Sequence, residues 1–318
     1  MTLSCNFRPP FWLPNGDAET LWAPFFSRSE RVPLRREIWT TPDGDQIAVD
    51  WVDGDSAAPA VVLFHGLGSS SRGHYSLALA AALQARRWTG CLVNFRGCGG
   101  LDNRKPRAYH AGDSDEIAWI VERLRRSFST LYAVGVSLGG NALLKYLGEE
   151  RGDNLTAAVA VCAPVDLVAT AAHIAQRPLY ERYFVRTLQR QMGRYASRYP
   201  DLVDWRAVRR ARTLHAFDDA FTAPVHGFRD ALSYWQQCSS GPGLARVRVP
   251  TLLINSRNDP IVPLADVAKW QRSAAVQVCF TDRGGHVAYV QGSFPGHTRY
   301  LPQQILRFFD GETPDAKA

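Results

Sequence analysis

The stretches APAVVLFHG, TGCLVNFRG and TLYAVGVS are apolar along nearly their whole length, and each is followed by an amphipathic run, HYSLALAAALQARR, DSDEIAWIVERLRRSF and GGNALLKYLGEE. A strand that is apolar on both faces cannot border water. The alternation therefore predicts a mostly parallel central sheet covered by helices on both sides, an α/β fold. The rhythm resumes at TAAVAVCAPVD and then gives way, over residues 167–246, to helical patterns such as LVATAAHIAQ, LYERYFVRTLQRQMGRYA and GFRDALSYWQQC. Strand signals return with VPTLLINSRNDP and VQVCFTDRGGH, and LPQQILRFFD reads as a last helix. One core built from residues 1–166 and 247–318, interrupted by a helical lid at 167–246, fits this order better than tandem domains. Ahead of it, REIWTTPDGDQIAVDWV reads as two strands joined at Pro42-Asp43-Gly44, the Pro- and Trp-rich opening carries no assigned element, and GETPDAKA reads as a frayed tail.

With 318 residues, 46% of them hydrophobic, the chain can bury a large core. Basic residues outnumber acidic ones 37 to 30, but the pairs Arg35-Arg36, Arg86-Arg87, Arg125-Arg126 and Arg209-Arg210 read as scattered. No zinc-finger spacing, helix-turn-helix signal or aromatic-and-basic stripe accompanies them, which argues against nucleic-acid binding. The six cysteines form no CxxC pair, and several sit in apolar runs, so reduced, buried thiols are expected. The opening lacks the apolar segment of a signal peptide, and the run at 157–165 is too short to span a bilayer and is broken by Pro164. A cytoplasmic location without a transmembrane segment is the expectation.

The stretch VGVSLGGNALLKYL sets Ser137 between two glycines where a strand passes into a helix. Such a junction permits a sharp turn that lifts the hydroxyl above the sheet, although Ser137 could also be an ordinary turn residue. A serine nucleophile needs a base and a group to orient that base. His286, after VQVCFTDRGGH, and Asp259, after TLLINSRND, stand beyond the carboxyl ends of strands, where such sheets place their sites. Asp266 and Asp282 compete for the acid role; Asp266 begins a helix and Asp282 precedes the turn presenting His286. His65 is better placed to shape its own loop. For an oxyanion, the backbone amides of Leu138 and of Leu67, in FHGLGSSS, are the candidate donors. GLGSSS also reads as a phosphate cradle, but no Lys-Ser/Thr pair follows it, and FRGCGG lacks dinucleotide spacing. No metal motif is present, Asp113 and Asp115 read as helix-capping residues, and no cofactor is expected.

Taken together, FHGLGSSS, VNFRGCGG, YHAGDSDEI, GVSLGGNALLKYLGEE, FDDAFTAPVHGF, SRNDPIVP and DRGGHVAYV resemble the YheT-like branch of the α/β-hydrolases, related to the ABHD1/ABHD3-type esterases. The resemblance implies nucleophile, acid and base at Ser137, Asp259 and His286, an oxyanion hole in the loop after the HG pair, and an ester hydrolase acting on acyl esters, phospholipids in some members. Ala288 and Tyr289 depart from the more usual GGHxGF, and the membrane segment of eukaryotic relatives has no match. An acyltransferase using the same acyl-enzyme, or an interaction protein that keeps the fold without catalysis, are the rival readings. A small-molecule acyl ester, lipid-derived or soluble, is the expected partner, with Phe184 and Phe221 facing its pocket from the lid.

Overall fold

The computed structural model describes residues 2–28 and 30–312. Its strands are β1 (Thr2–Ser4), β2 (Arg35–Thr40), β3 (Gln46–Val52), β4 (Ala60–Phe64), β5 (Thr89–Asn94), β6 (Leu131–Val136), β7 (Ala157–Val161), β8 (Thr251–Ser256) and β9 (Val276–Thr281). They form one sheet in the order β1-β9-β8-β7-β6-β4-β5-β3-β2. Only β3, the hairpin partner of β2, runs against its neighbours, pairing antiparallel with both β2 and β5; the other pairings are parallel.

Helices α1 (Gly16–Phe26), α2 (His74–Arg86), α3 (Ser114–Arg125) and α4 (Leu138–Gly148) precede the insertion. Successive residues of one strand feed opposite layers, as strand geometry requires. Val62 and Phe64 pack with Ile117, Ile120 and Leu143 of α3 and α4, while Val61 and Leu63 pack with Leu79 and Leu83 of α2 and with the closing helix. Both faces are thus dry, which is why the central strands tolerate no polar alternation.

Between β7 and β8 the chain is helical: α5 (Leu167–Ala175), α6 (Pro178–Arg198), α7 (Trp205–Arg210), α8 (Leu214–Phe217), α9 (Ala223–His226) and α10 (Ala231–Cys238). This insertion has its own apolar cluster, built on Met192, Tyr195, Trp205, Phe217 and Phe221. Two further helices, α11 (Leu264–Ala268) and α12 (Tyr300–Phe309), complete the fold.

Two expectations change. The N-terminal stretch, which carries no assigned element in the sequence pattern, holds two: β1 adds to β9, and α1 follows it. Helix α1 escapes pattern reading because Pro24 lies inside it and Leu21, Phe25 and Phe26 are exposed, so no apolar stripe is legible. Nor are all cysteines free. The pairing of β1 with β9 brings the Cα atoms of Cys5 and Cys279 to 5.7 Å, and the two form a disulfide; Cys91, Cys98, Cys162 and Cys238 are buried thiols. The tail expected to fray lies, beyond Glu312, outside the described residues.

Candidate active site

Ser137 joins β6 to α4 with φ 52° and ψ −119°, a conformation that L-residues avoid unless the surroundings impose it. They impose it here by close packing. A Cβ on Gly139 would lie 2.4 Å from the Phe64 carbonyl oxygen, so only glycine lets α4 start this near the end of β4. The Ser137 amide donates to Val161 O at 2.8 Å, which pins the turn to the neighbouring strand.

The structure brings Ser137, His286 and Asp259 into one hydrogen-bonded chain. The Ser137 hydroxyl donates to His286 Nε2 at 2.9 Å, and His286 Nδ1 donates to Asp259 Oδ2 at 2.8 Å. The other carboxylate oxygen accepts the amides of Ile261 at 2.8 Å and Val262 at 3.0 Å, so the acid cannot rotate away from the ring. The competitors lie elsewhere. The Asp282 side chain is 88% exposed and pairs with Arg257, and Asp266 sits in the first turn of α11 beside Lys269. His65 accepts the Phe95 amide at 3.1 Å and donates to Gly66 O, and burial lowers its pKa to about 4; it holds its loop as a neutral ring.

The amides expected to receive an oxyanion are those of Leu67 and Leu138. Gly66 N donates to the Tyr75 hydroxyl and Gly68 N to the Tyr109 hydroxyl, both at 2.9 Å, leaving Leu67 N between two committed neighbours. Leu138 N opens α4. Neither the Leu67 nor the Leu138 amide has an acceptor among the described residues.

Helix α1 supplies support that the sequence pattern did not reveal. Glu19 is fully buried; its carboxylate accepts from Gly284 N at 2.8 Å, Arg283 Nε at 2.8 Å and Asn258 Nδ2 at 3.1 Å. Thr20 Oγ1 accepts the amide of His286 itself at 2.8 Å. One turn of helix thereby ties together the loops carrying Asp259 and His286. The approach is close: a Cβ on Gly16 would fall 1.9 Å from Asn258 O. A carboxylate in GDAET reads as a solvated first-turn acid, and no local signal marks it as buried. Tyr289, the departure noted above, fills the space under the same loop, with its ring against Gly284 and its hydroxyl beside Thr281 Oγ1 at 3.2 Å.

Ser137 stands between two cavities. An outer cleft of about 760 Å³ is lined by α1, the N-terminal end of α6, the 66–75 loop and His286; an inner chamber of about 120 Å³ runs past Leu138 toward Trp235. Phe184 lines both. Phe221 lines neither, contrary to expectation; it is buried among Phe217, Trp205 and Tyr195 in the insertion's own core. Within the GLGSSS loop, Ser71 Oγ donates to the buried carboxylate of Asp50. Asp113 stands at the N-cap of α3 but directs its carboxylate to Arg107, and Asp115 pairs with Arg151. Among the described residues, the group of possible metal ligands that converges is Cys162, Asp259 and His286, where His286 Nδ1 and Asp259 Oδ2 are already committed to each other.

Residues 59–293 match the family model described as alpha/beta hydrolase fold. The chain belongs to the α/β-hydrolase family. Within this family it falls in the branch of YheT from Escherichia coli, to which it is 34% identical over 95% of its own length and 92% of the relative's. The human phospholipase ABHD3 is 26% identical over 95% of this chain and 78% of that one. Among solved structures, the Pyrococcus furiosus esterase Pf2001 shares the fold with a TM-score of 0.59 at 17% identity, covering 96% of this chain and 99% of that one. Membership of this α/β-hydrolase branch supports serine-hydrolase chemistry in general without naming a substrate. Helix α1, which braces the His286 loop, lies outside the matched segment.

Proposed function

We propose that the protein is a serine carboxylic-ester hydrolase that forms an acyl-enzyme on Ser137. The observation that carries this reading is the hydrogen-bonded chain from Ser137 through His286 to Asp259, opening into an apolar-walled cleft. His286 takes the hydroxyl proton as Oγ attacks the ester carbonyl, and Asp259 orients the ring and compensates its positive charge. The amides of Leu67 and Leu138 receive the developing oxyanion, a role worth about 3 kcal/mol per donor in comparable sites. Protonated His286 then gives its proton to the departing alkoxide. Water deprotonated by the same ring attacks the acyl-serine, and collapse of the second tetrahedral species restores Ser137 and releases the acid.

Leu21, Phe25, Leu179 and Phe184 wall the cleft, which suits an ester with an apolar acyl chain. The insertion between β7 and β8 acts as the lid over it. The test is covalent. A fluorophosphonate should label the peptide carrying Ser137 in the wild-type chain and leave Ser137→Ala unlabelled, with hydrolysis of an activated short-chain ester reduced about a thousandfold or more. An unlabelled wild type, or an S137A protein that turns over at the wild-type rate while melting cooperatively, rejects the reading.

A further inference from the structure

The excess positive charge of this chain is local. Residues 177–212 contain ten arginines and three acidic residues, a surplus of seven that equals the net charge of the entire protein, so the remainder is balanced. The basic pairs that look scattered in sequence hide this, because the surplus comes mainly from single arginines repeating at every fourth position of α6, from Arg182 to Arg198. Four-residue spacing places them along one side of the helix. Toward its C-terminal end the stripe is anchored: Arg194 pairs with Asp102, and Arg198 donates to Asn103 O.

At the other end it is not. Arg182 and Arg186 face Arg209, Arg210 and Arg212 across a groove of about 830 Å³ between α6 and the segment from α7 to α8. None of the five has an ion-pair partner among the described residues. The one acidic residue lining the groove, Glu181, accepts the Leu214 amide instead. Five exposed guanidinium groups around a single carboxylate leave the groove with a surplus of positive charge that favours an anion, and their planar donors match phosphate oxygens.

The groove adjoins the mouth of the cleft, since Pro178 lines both. That mouth is unusually apolar for a water-facing rim: Leu179 is 86% exposed, Phe25 66%, Tyr183 58% and Leu21 52%, all at the cleft. Apolar side chains beside unpaired arginines are the two components of a surface that seats on an anionic bilayer, the first entering the acyl layer and the second meeting headgroup phosphates. No helix among the described residues is long and apolar enough to cross a membrane, so this contact is peripheral.

We propose that the lid face formed by α6, α7 and the exposed edge of α1 docks the protein onto an anionic lipid bilayer, with the cleft mouth set against the lipid. The contact does not involve the Ser137 chemistry. The experiment is cosedimentation of the full-length protein with vesicles of phosphatidylcholine alone and of phosphatidylcholine with a third phosphatidylglycerol, at low and raised salt. Wild-type protein should bind the anionic vesicles about tenfold more tightly, and salt should weaken that preference. Replacing Arg182, Arg186, Arg209, Arg210 and Arg212 together by Gln should abolish the preference while hydrolysis of a soluble short-chain ester is unchanged. Leu179→Ser with Tyr183→Ser should remove the salt-resistant part of binding. Equal binding of wild type to both vesicle types overturns the proposal without any variant. So does a salt-resistant fraction untouched by the Leu179 and Tyr183 changes, or binding of duplex DNA by the groove with no binding of vesicles. Vesicle binding reads no acyl chemistry, so its failure leaves the acyl-enzyme reading standing, and failure of Ser137 labelling leaves this one.

Discussion

The buried carboxylate of Glu19 accepts the Gly284 amide at 2.8 Å, fixing the backbone two residues before His286. The same side chain holds Asn258, the neighbour of Asp259. Glu19→Gln should therefore loosen acid and base together. We expect kcat to fall about tenfold to a hundredfold with KM within about twofold, because misplacement of a reacting group by about 1 Å costs this much. The rate of fluorophosphonate labelling should fall in step, and Glu19→Asp should recover part of it. A variant that melts earlier but turns over like the wild type would reduce Glu19 to a purely structural role.

Asp259 and Asp282 can be separated kinetically. Asp259→Asn keeps the shape but loses the acceptor that fixes the His286 tautomer and offsets its charge, so kcat should drop by about two to four orders of magnitude. Asp282 pairs with Arg257 at the surface, and Asp282→Asn should stay within about twofold of wild type. The reverse ranking would reassign the acid.

Phe184 and Phe221 should fail in different ways. Phe184 lines both cavities at Ser137, and Phe184→Ala should shift the ratio of long- to short-chain ester hydrolysis, since each methylene newly buried is worth about 0.8 kcal/mol. Phe221→Ala should cost about 3 kcal/mol or more in stability by opening a hole in the insertion's core, with the chain-length profile kept. Thermal denaturation and a chain-length series run on both variants distinguish the outcomes.

Acid should selectively cost the stability contributed by His65. Burial holds its folded pKa near about 4, whereas the unfolded ring takes up a proton at 6.5. Between those values the unfolded state binds more protons, so the contribution is complete above 6.5 and is lost as pH falls through the window toward 4. Asp218, raised to about 6 by burial, drives stability the opposite way, so the whole-protein curve mixes signs. The difference isolates His65: the melting deficit of His65→Gln relative to wild type should shrink as pH falls from 6.5 toward 4. A deficit constant across that range contradicts the assignment of a neutral, buried ring.

Strand and helix periodicity made the sheet legible, because strands dry on both faces leave few alternatives. The convergence of Ser137, Asp259 and His286 was legible for a related reason: each follows a recognisable strand, and carboxyl ends share a rim. What pattern could not supply was anything fixed by long-range packing. Glu19 is buried only because α1 docks on loops more than two hundred residues away, and Phe221 faces inward only because the insertion forms a core of its own. Cys5 meets Cys279 through a strand of three residues, too short for any period to show. The arginine surplus was missed for a simpler reason, since residues four apart on a helix do not look adjacent in a line of text.

The first described strand lies beside the last, and the helix after it braces the loop that carries His286. Synthesis runs from the N-terminus, so a ribosome-bound chain exposes Ser137 long before it has made His286. During that interval Ser137 lacks its hydrogen bond to His286, and Glu19 and Thr20 have no loop to hold. The His286 loop is thus held by elements far apart in the chain: β9, which leads into it, lies between β8 and β1, and Thr20 of α1 accepts the His286 amide.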